Sequence, residues 1–235
     1  MSRSPAPRHD LPPAVADLAR RCGALAGDWD SSDVILTQTG EMRADAAHDW
    51  ARFRARQSIA VDRIGFVWRA ATGPLGSIRV TDALDDAGPR ITVTAFGVLS
   101  LARVARDAAL TKGELQRYLA ELPLAPDAIL HNPELGWEVM DASRLRVSAI
   151  HRGVHAHVDL TLNADGLVAS AFAPDRPRLE GGAAIERPWE GRFTDYRAHH
   201  GRTLPFAAEV AWFIDGQRLS VWRGAMRTWG LANAR

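Results

Sequence analysis

The chain reads as a mainly β (α+β) protein built on one large antiparallel sheet, and three observations predict it. From residue 31 to about residue 105, and again from Trp137 onward, apolar and polar residues alternate with period two. Turn chemistry separates the runs at Thr72-Gly73-Pro74, Ala87-Gly88-Pro89, Asn163-Ala164-Asp165-Gly166 and Asp215-Gly216. Only two segments carry a helical period. A sheet of about ten strands with one apolar face must cover that face with helices or by curling.

The first element is a helix over residues 12–25, where Val15, Leu18, Ala19, Cys22 and Leu25 recur at helical spacing. Asp10 is its expected cap, Pro12 or Pro13 fits its first turn, and Gly27 is its expected stop. Strands are then predicted at 33–42, 50–61, 66–71, 77–83 and 90–101. In the second of these, Phe53, Ala55, Gln57 and Ile59 oppose Arg52, Arg54, Arg56 and Ser58, the pattern of a half-buried strand with an arginine-rich wet face. A helix over 111–122 interrupts the strands. Thr111 and Glu114 form a capping-box pattern, and Leu115, Tyr118, Leu119 and Leu122 make the apolar stripe. Arg117 and Glu121 sit at i and i+4, and Pro123 ends the helix. Strands follow at 137–141, 144–151, 154–162, 167–173, 209–214 and 218–223.

Length and composition agree with this plan. The 235 residues, 46% apolar and 24% charged with a formal net charge of +1, suit one domain over 1–235, a helical segment at 1–27 preceding a sheet over 31–235. They exclude a disordered chain. Acids and bases alternate, which speaks against a nucleic-acid partner, and Arg52, Arg54 and Arg56 read as one solvated strand face. A lone cysteine, Cys22, allows no internal disulfide and no cysteine-rich metal site. No run approaches the roughly 20 apolar residues of a membrane-spanning helix, and the first residues lack the apolar core of a secretion signal, so the expected location is cytoplasmic.

Motifs that dictate a reaction are missing. His151, His155 and His157 with Asp159 share parity, yet alternate residues of a strand stand nearly 7 Å apart, too far for three nitrogens to meet one ion. The plain reading is a polar row facing solvent. His199 and His200 fall in a turn, and no nucleophile elbow or phosphate-binding glycine loop occurs, so neither a cofactor nor a metal is expected. The aromatic residues say more. Eight tryptophans stand against two tyrosines, and Trp50, Trp68, Trp137, Trp189, Trp212 and Trp222 fall on strands or their approaches. Such large, one-donor side chains either fill a core or line a concave site.

A resemblance adds to this. Trp50-x-x-Phe53-x-Ala55-x-Gln57, Gly65-Phe66-Val67-Trp68 and the helix Glu114-Leu115-x-Arg117-Tyr118-Leu119-Ala120-Glu121 with Pro126 and Leu130 are followed by Trp137, Arg176 and Pro188-Trp189-x-Gly191. Asp195-Tyr196-Arg197, Gly201, Pro205, Glu209-Val210-x-Trp212 and Asp215-Gly216 complete the set, which resembles the bacterial family DUF6544, also seen as DUF6920, from about Leu11 to Arg227. That family is similar in expected fold to LolA- and LolB-like lipoprotein carriers. The resemblance therefore implies a curved antiparallel half barrel, its concave side covered or plugged by the two helices and able to hold acyl chains. The chain departs from the carriers in showing no lipidation cysteine near its start.

The leading expectation is a hydrophobic or lipid-like small molecule in the concavity, touching Phe53, Gln57, Trp68, Arg117, Tyr118, Trp137, Arg176 and Trp212. Arg117 and Glu121 would also anchor the helix to the sheet, and Arg176 would meet an acidic head group. One alternative is an interaction module with a filled core. The other is an enzyme using Arg117, Glu121, Asp195, Tyr196 and Glu209, which should then converge in one cleft around a perturbed carboxylate. Oligomeric state stays open.

Overall fold

The computed structural model describes residues 10–26, 31–96, 99–103 and 107–233. The first meander consists of β1 (Ser31–Met42), β2 (Ala51–Ala60), β3 (Phe66–Thr72), β4 (Ile78–Asp85), β5 (Gly88–Ala95) and β6 (Leu99–Arg103). The second consists of β7 (Gly136–Val139), β8 (Arg144–His151), β9 (Val154–Leu162), β10 (Val168–Glu180), β11 (Ala183–His199), β12 (Arg202–Ile214) and β13 (Gln217–Asn233). Among the described residues these thirteen strands form one antiparallel sheet, ordered β6-β5-β4-β3-β2-β1-β13-β12-β11-β10-β9-β8-β7. First and last strands pair at its centre, Leu36 opposite Trp229 and Gly40 opposite Gly224.

That order dictates where the helices go. After β6 the chain stands at one edge of the sheet, while β7 lies at the opposite edge. It crosses the concave side as α2 (Ala108–Ala120), a 3-10 turn at Leu122–Leu124 and α3 (Ala128–His131). Helix α2 packs against β4 and β5 on one flank and β8, β9 and β10 on the other. The result is a half barrel plugged by its own connection. Alternation supplies the apolar wall: Phe53, Ala55 and Ile59 on β2, and Leu145, Val147 and Ala149 on β8, are buried, whereas Arg54 and Arg56 are exposed.

Both helices begin and end differently from the sequence expectation. Helix α1 (Pro13–Arg21) has Pro12 rather than Asp10 as N-cap. It stops at Gly23, where Ala24 N donates to Ala19 O and Gly23 N to Arg20 O, a Schellman closure with glycine at φ 75°. The expected stop, Gly27, lies outside the described residues. Helix α2 starts one turn before Thr111. Asp107 caps it, its carboxylate accepting from Leu110 N at 2.8 Å, and the Thr111 hydroxyl turns back to Asp107 O. The capping-box reading therefore fails, because Glu114 is drawn into the protein instead of back to the helix start.

Strands β8 and β9 match their predicted bounds, whereas β10, β12 and β13 run well beyond theirs and β11 was missed altogether. His151 and His155 stand on different strands, paired across the hairpin to Val154 and Ile150.

Candidate functional site

The plug does not fill the whole hollow. A half-open cavity of about 310 Å³ remains between α2 and the strands at the sheet's centre. Its walls carry Trp68, Trp189, Phe193, Phe206, Trp212 and Trp222, with Met42 and Met226 beside them. Trp189 and Trp212 stand opposite each other in the β11–β12 register, as do Val210 and Trp222 in β12–β13. Gly224 lets the Trp222 ring lie along its own strand: a Cβ there would meet the ring at 2.5 Å. Phe53 lies behind this wall, stacked on Trp222 at 5.5 Å and edge-on to Trp68 at 5.6 Å.

One wall is charged. Arg117, Asp82, Glu121 and Arg176 all line the cavity. Arg117 pairs with Asp82 on β4 and with Glu121 at 3.0 Å, while Gln57 donates to Glu121. Phe66 and Trp68 receive the Arg117 guanidinium at 4.8 and 5.3 Å. Burial pulls Arg117 down, but Glu121, Asp82 and Glu114 outweigh it and hold the group above its usual range. Arg117, through Asp82, and Glu121, through Gln57, thus tie the helix to the sheet, as expected of the pair.

Glu114 lies one layer behind the cavity and does not line it. Burial, and then the neighbouring Asp82 carboxylate, push its carboxyl well above the ordinary range. A proton retained there supplies the donor that Glu114 Oε2 and Asp82 Oδ1, both buried, otherwise lack. That leaves Arg176 poorly compensated. Its nearest carboxylate is Glu114 at 4.0 Å, it sits over Trp189 at 4.8 Å, and its buried Nη1 has no hydrogen-bond partner among the described residues. Burial pulls this guanidinium below its usual range, opposed by Glu114; arginine nonetheless keeps its charge at neutral pH.

The other end of the hollow is filled. Tyr118 OH shares its one proton between Ala60 O and Arg63 O, each at 3.0 Å, and accepts from Asn132 Nδ2 at 2.8 Å. Arg202 and Asp127 form a two-bonded pair, 4% and 0% exposed. Trp229 donates its Nε1 to Leu124 O at 2.8 Å. Cys22 is buried there too, its thiol pushed up to about 12 by burial.

Of the eight residues expected to touch a ligand, Trp68, Arg117, Arg176 and Trp212 line the cavity. The other four do not. Phe53 and Gln57 support the wall from behind, Tyr118 is used up in the filled end, and Trp137 lies on β7 opposite Val147. The five residues of the catalytic alternative split as well. Arg117, Glu121 and Glu209 line the cavity, but Glu209 is held by Arg218 at 2.5 Å. Asp195 pairs with Arg197 at 2.6 Å, and Tyr196 donates to Val168 O at 2.7 Å. The perturbed carboxyl, Glu114, belongs to none of the five.

Trp189, Phe193, Phe206, Trp222 and Met226 line the wall but were not among the eight expected residues, although one signal was available for the tryptophans. Trp-x-Gly occurs twice, at Trp189–Gly191 and Trp222–Gly224, each time placing a glycine beside the ring on the same strand face. No group of three or more histidine, cysteine or acidic side chains able to hold a metal ion occurs among the described residues. No helix there is long and apolar enough to cross a membrane.

Comparison with known proteins places the fold. The family described as "Family of unknown function (DUF6544)" matches residues 2–224. No curated protein matches the chain in sequence. A LolA superfamily protein from Nitrosomonas europaea is similar in structure, with a TM-score of 0.50 and 11% identity over 94% of this chain and 93% of its own. A putative outer membrane lipoprotein-sorting protein domain from Vibrio parahaemolyticus scores 0.49 at 10% identity, covering 92% of this chain and 90% of its own. At 11% identity the likeness to the Nitrosomonas europaea protein speaks for a LolA-like fold alone.

Proposed function

The chain belongs to the DUF6544 family, and from that premise and the cavity we propose that it binds a hydrophobic or amphipathic small molecule between α2 and the centre of the sheet. One observation carries the reading: an aromatic hollow of about 310 Å³ stays open beside a buried arginine with an unpartnered Nη1. Apolar walls with a few polar groups to fix orientation are the usual make-up of small-molecule sites. The volume lies at the small end of the usual range, roughly 300–1,000 Å³, which favours a narrow, single-chain ligand. Arg176 is then the partner of an acidic head group, while Trp68, Trp189, Trp212 and Trp222 take the chain. An interaction module with a filled core would leave this space occupied by side chains. Catalysis draws no support from the wall, because Arg117 and Glu209 are consumed in ion pairs and Glu114 stands behind it.

Native mass spectrometry of protein purified from its own host tests the proposal. A lipid-like mass should travel with the chain, and dodecanoate should shift the tryptophan fluorescence of the emptied protein. An unadorned mass together with an unmoved emission spectrum overturns it.

A further inference from the structure

The outer face of the first meander is cationic without compensation. Arg54 and Arg56 on β2, Arg69 on β3 and Arg79 on β4 share it: Arg56 stands opposite Arg69, and Arg54 and Arg79 both stand opposite Ala71. All four are exposed, and among the described residues none is in an ion pair. Threonines and alanines fill the positions between them and add no negative charge. Arg227 of β13 joins the same shallow groove of about 720 Å³, its Nε donating to Thr39 Oγ1. The bordering acid, Glu41, is already held by Arg223. The second meander is different, for there Arg146 pairs with Asp159, Arg187 with Glu180, and Arg192 and Arg218 with Glu190. A net charge of only +1 for the whole chain therefore hides a local concentration of positive charge on this face.

Two apolar tips project from one end of this cationic face. Leu75, between β3 and β4, is fully exposed, and Phe96, after β5, is 76% exposed. The tips are neighbours, since Phe96 N donates to Ser77 O at 2.7 Å. Both residues hold left-handed backbone, φ 54° and 52°, which is sterically costly for bulky side chains. Phe53 opposite Thr72, Thr72 opposite Ile78 and Ile78 opposite Ala95 trace the register from the tips to the cavity wall. The tips thus share an end of the sheet with Met42 and Trp222.

We infer that this face docks on an anionic lipid bilayer, Leu75 and Phe96 entering the head-group layer and Arg54, Arg56, Arg69 and Arg79 lying over the phosphates. Exposed apolar side chains flanked by uncompensated arginines combine the two attractions that hold proteins at such an interface. A nucleic acid would use the same cations, but it offers no apolar layer for two projecting tips. The inference goes beyond ligand binding in the cavity and holds whatever the cavity contains.

Flotation of the full chain with vesicles tests it, using phosphatidylcholine alone and phosphatidylcholine mixed with phosphatidylglycerol. The protein should rise only with the mixed vesicles and be released by salt. Arg56→Gln and Arg69→Gln should each weaken partitioning about fivefold, equivalent to ~1 kcal/mol. Leu75→Ser with Phe96→Ser should weaken it further, whereas Arg144→Gln, a paired arginine of the second meander, should leave it unchanged. All these positions are exposed, so an unchanged melting temperature certifies folded variants. Equal binding to neutral vesicles, an equal loss in Arg144→Gln, or capture by duplex DNA in preference to mixed vesicles overturns the inference.

Discussion

At the filled end of the hollow Tyr118, Arg202 and Trp229 have partners for their polar groups, while at the open end Arg176, Glu114 and Asp82 retain buried atoms without a hydrogen-bond partner among the described residues. Both ends hold a buried arginine, a carboxylate and a tryptophan. What differs is where the crossing connection lies: the 3-10 turn and α3 deliver Leu124 O, Asp127 and Asn132 to one end, and nothing comparable reaches Trp212 and Trp222 at the other. The two buried arginines, Arg202 and Arg176, therefore differ in the satisfaction of their donors and not in depth of burial.

Substitutions should separate the two ends, first by stability and then by binding. The largest effect is expected from Asp127→Ala, which takes the carboxylate from a buried arginine and should cost about 3–5 kcal/mol in urea denaturation. Tyr118→Phe follows at about 1–3 kcal/mol, since Asn132 and two carbonyls lose their hydroxyl partner. Neither should change the affinity of the protein that remains folded, and a selective loss of binding in either would erase the distinction between the ends.

At the open end the order reverses. Arg176→Met should weaken dodecanoate binding about tenfold or more, the worth of a charged hydrogen bond, while dodecanol binding measured by calorimetry holds steady. Equal loss for acid and alcohol would assign Arg176 to packing. The smallest effect concerns pH. Glu114 binds its proton more tightly folded than unfolded, so its stabilisation is complete below the ordinary carboxylate range and is lost as pH rises through its higher folded value. Urea midpoints should accordingly decline from acid toward neutral pH in the parent chain and less steeply in Glu114→Gln. Parallel declines would remove Glu114 as the source.

The architecture was legible where local chemistry and tertiary context agree. Strands β8 and β9 alternate cleanly around Arg152-Gly153, a turn with both residues at positive φ, and their bounds came out as predicted. Strand β11 was not legible, because its first residues are exposed, Pro188 interrupts the pattern, and only Trp189, Gly191 and Phe193 mark a buried face. The capping box misled for a related reason. Thr111 and Glu114 have the right spacing, but burial against Arg176 and Asp82 outweighs a surface cap, and Asp107 takes that role.

Periodicity, turn dipeptides and composition by themselves determined the mainly antiparallel sheet, the two principal helices, the cationic strand face around Arg54 and Arg56, and the Arg117–Glu121 pair. All of these depend on residues near one another in sequence. Tertiary structure alone decided which tryptophans line a hollow and which fill it, and that Arg69 and Arg79 enlarge the cationic face. Those outcomes rest on pairings such as Trp229 with Leu124, 105 residues apart, and Arg202 with Asp127, 75 apart. The register that makes them follows from the path of one connection across the concave side, which no local pattern encodes.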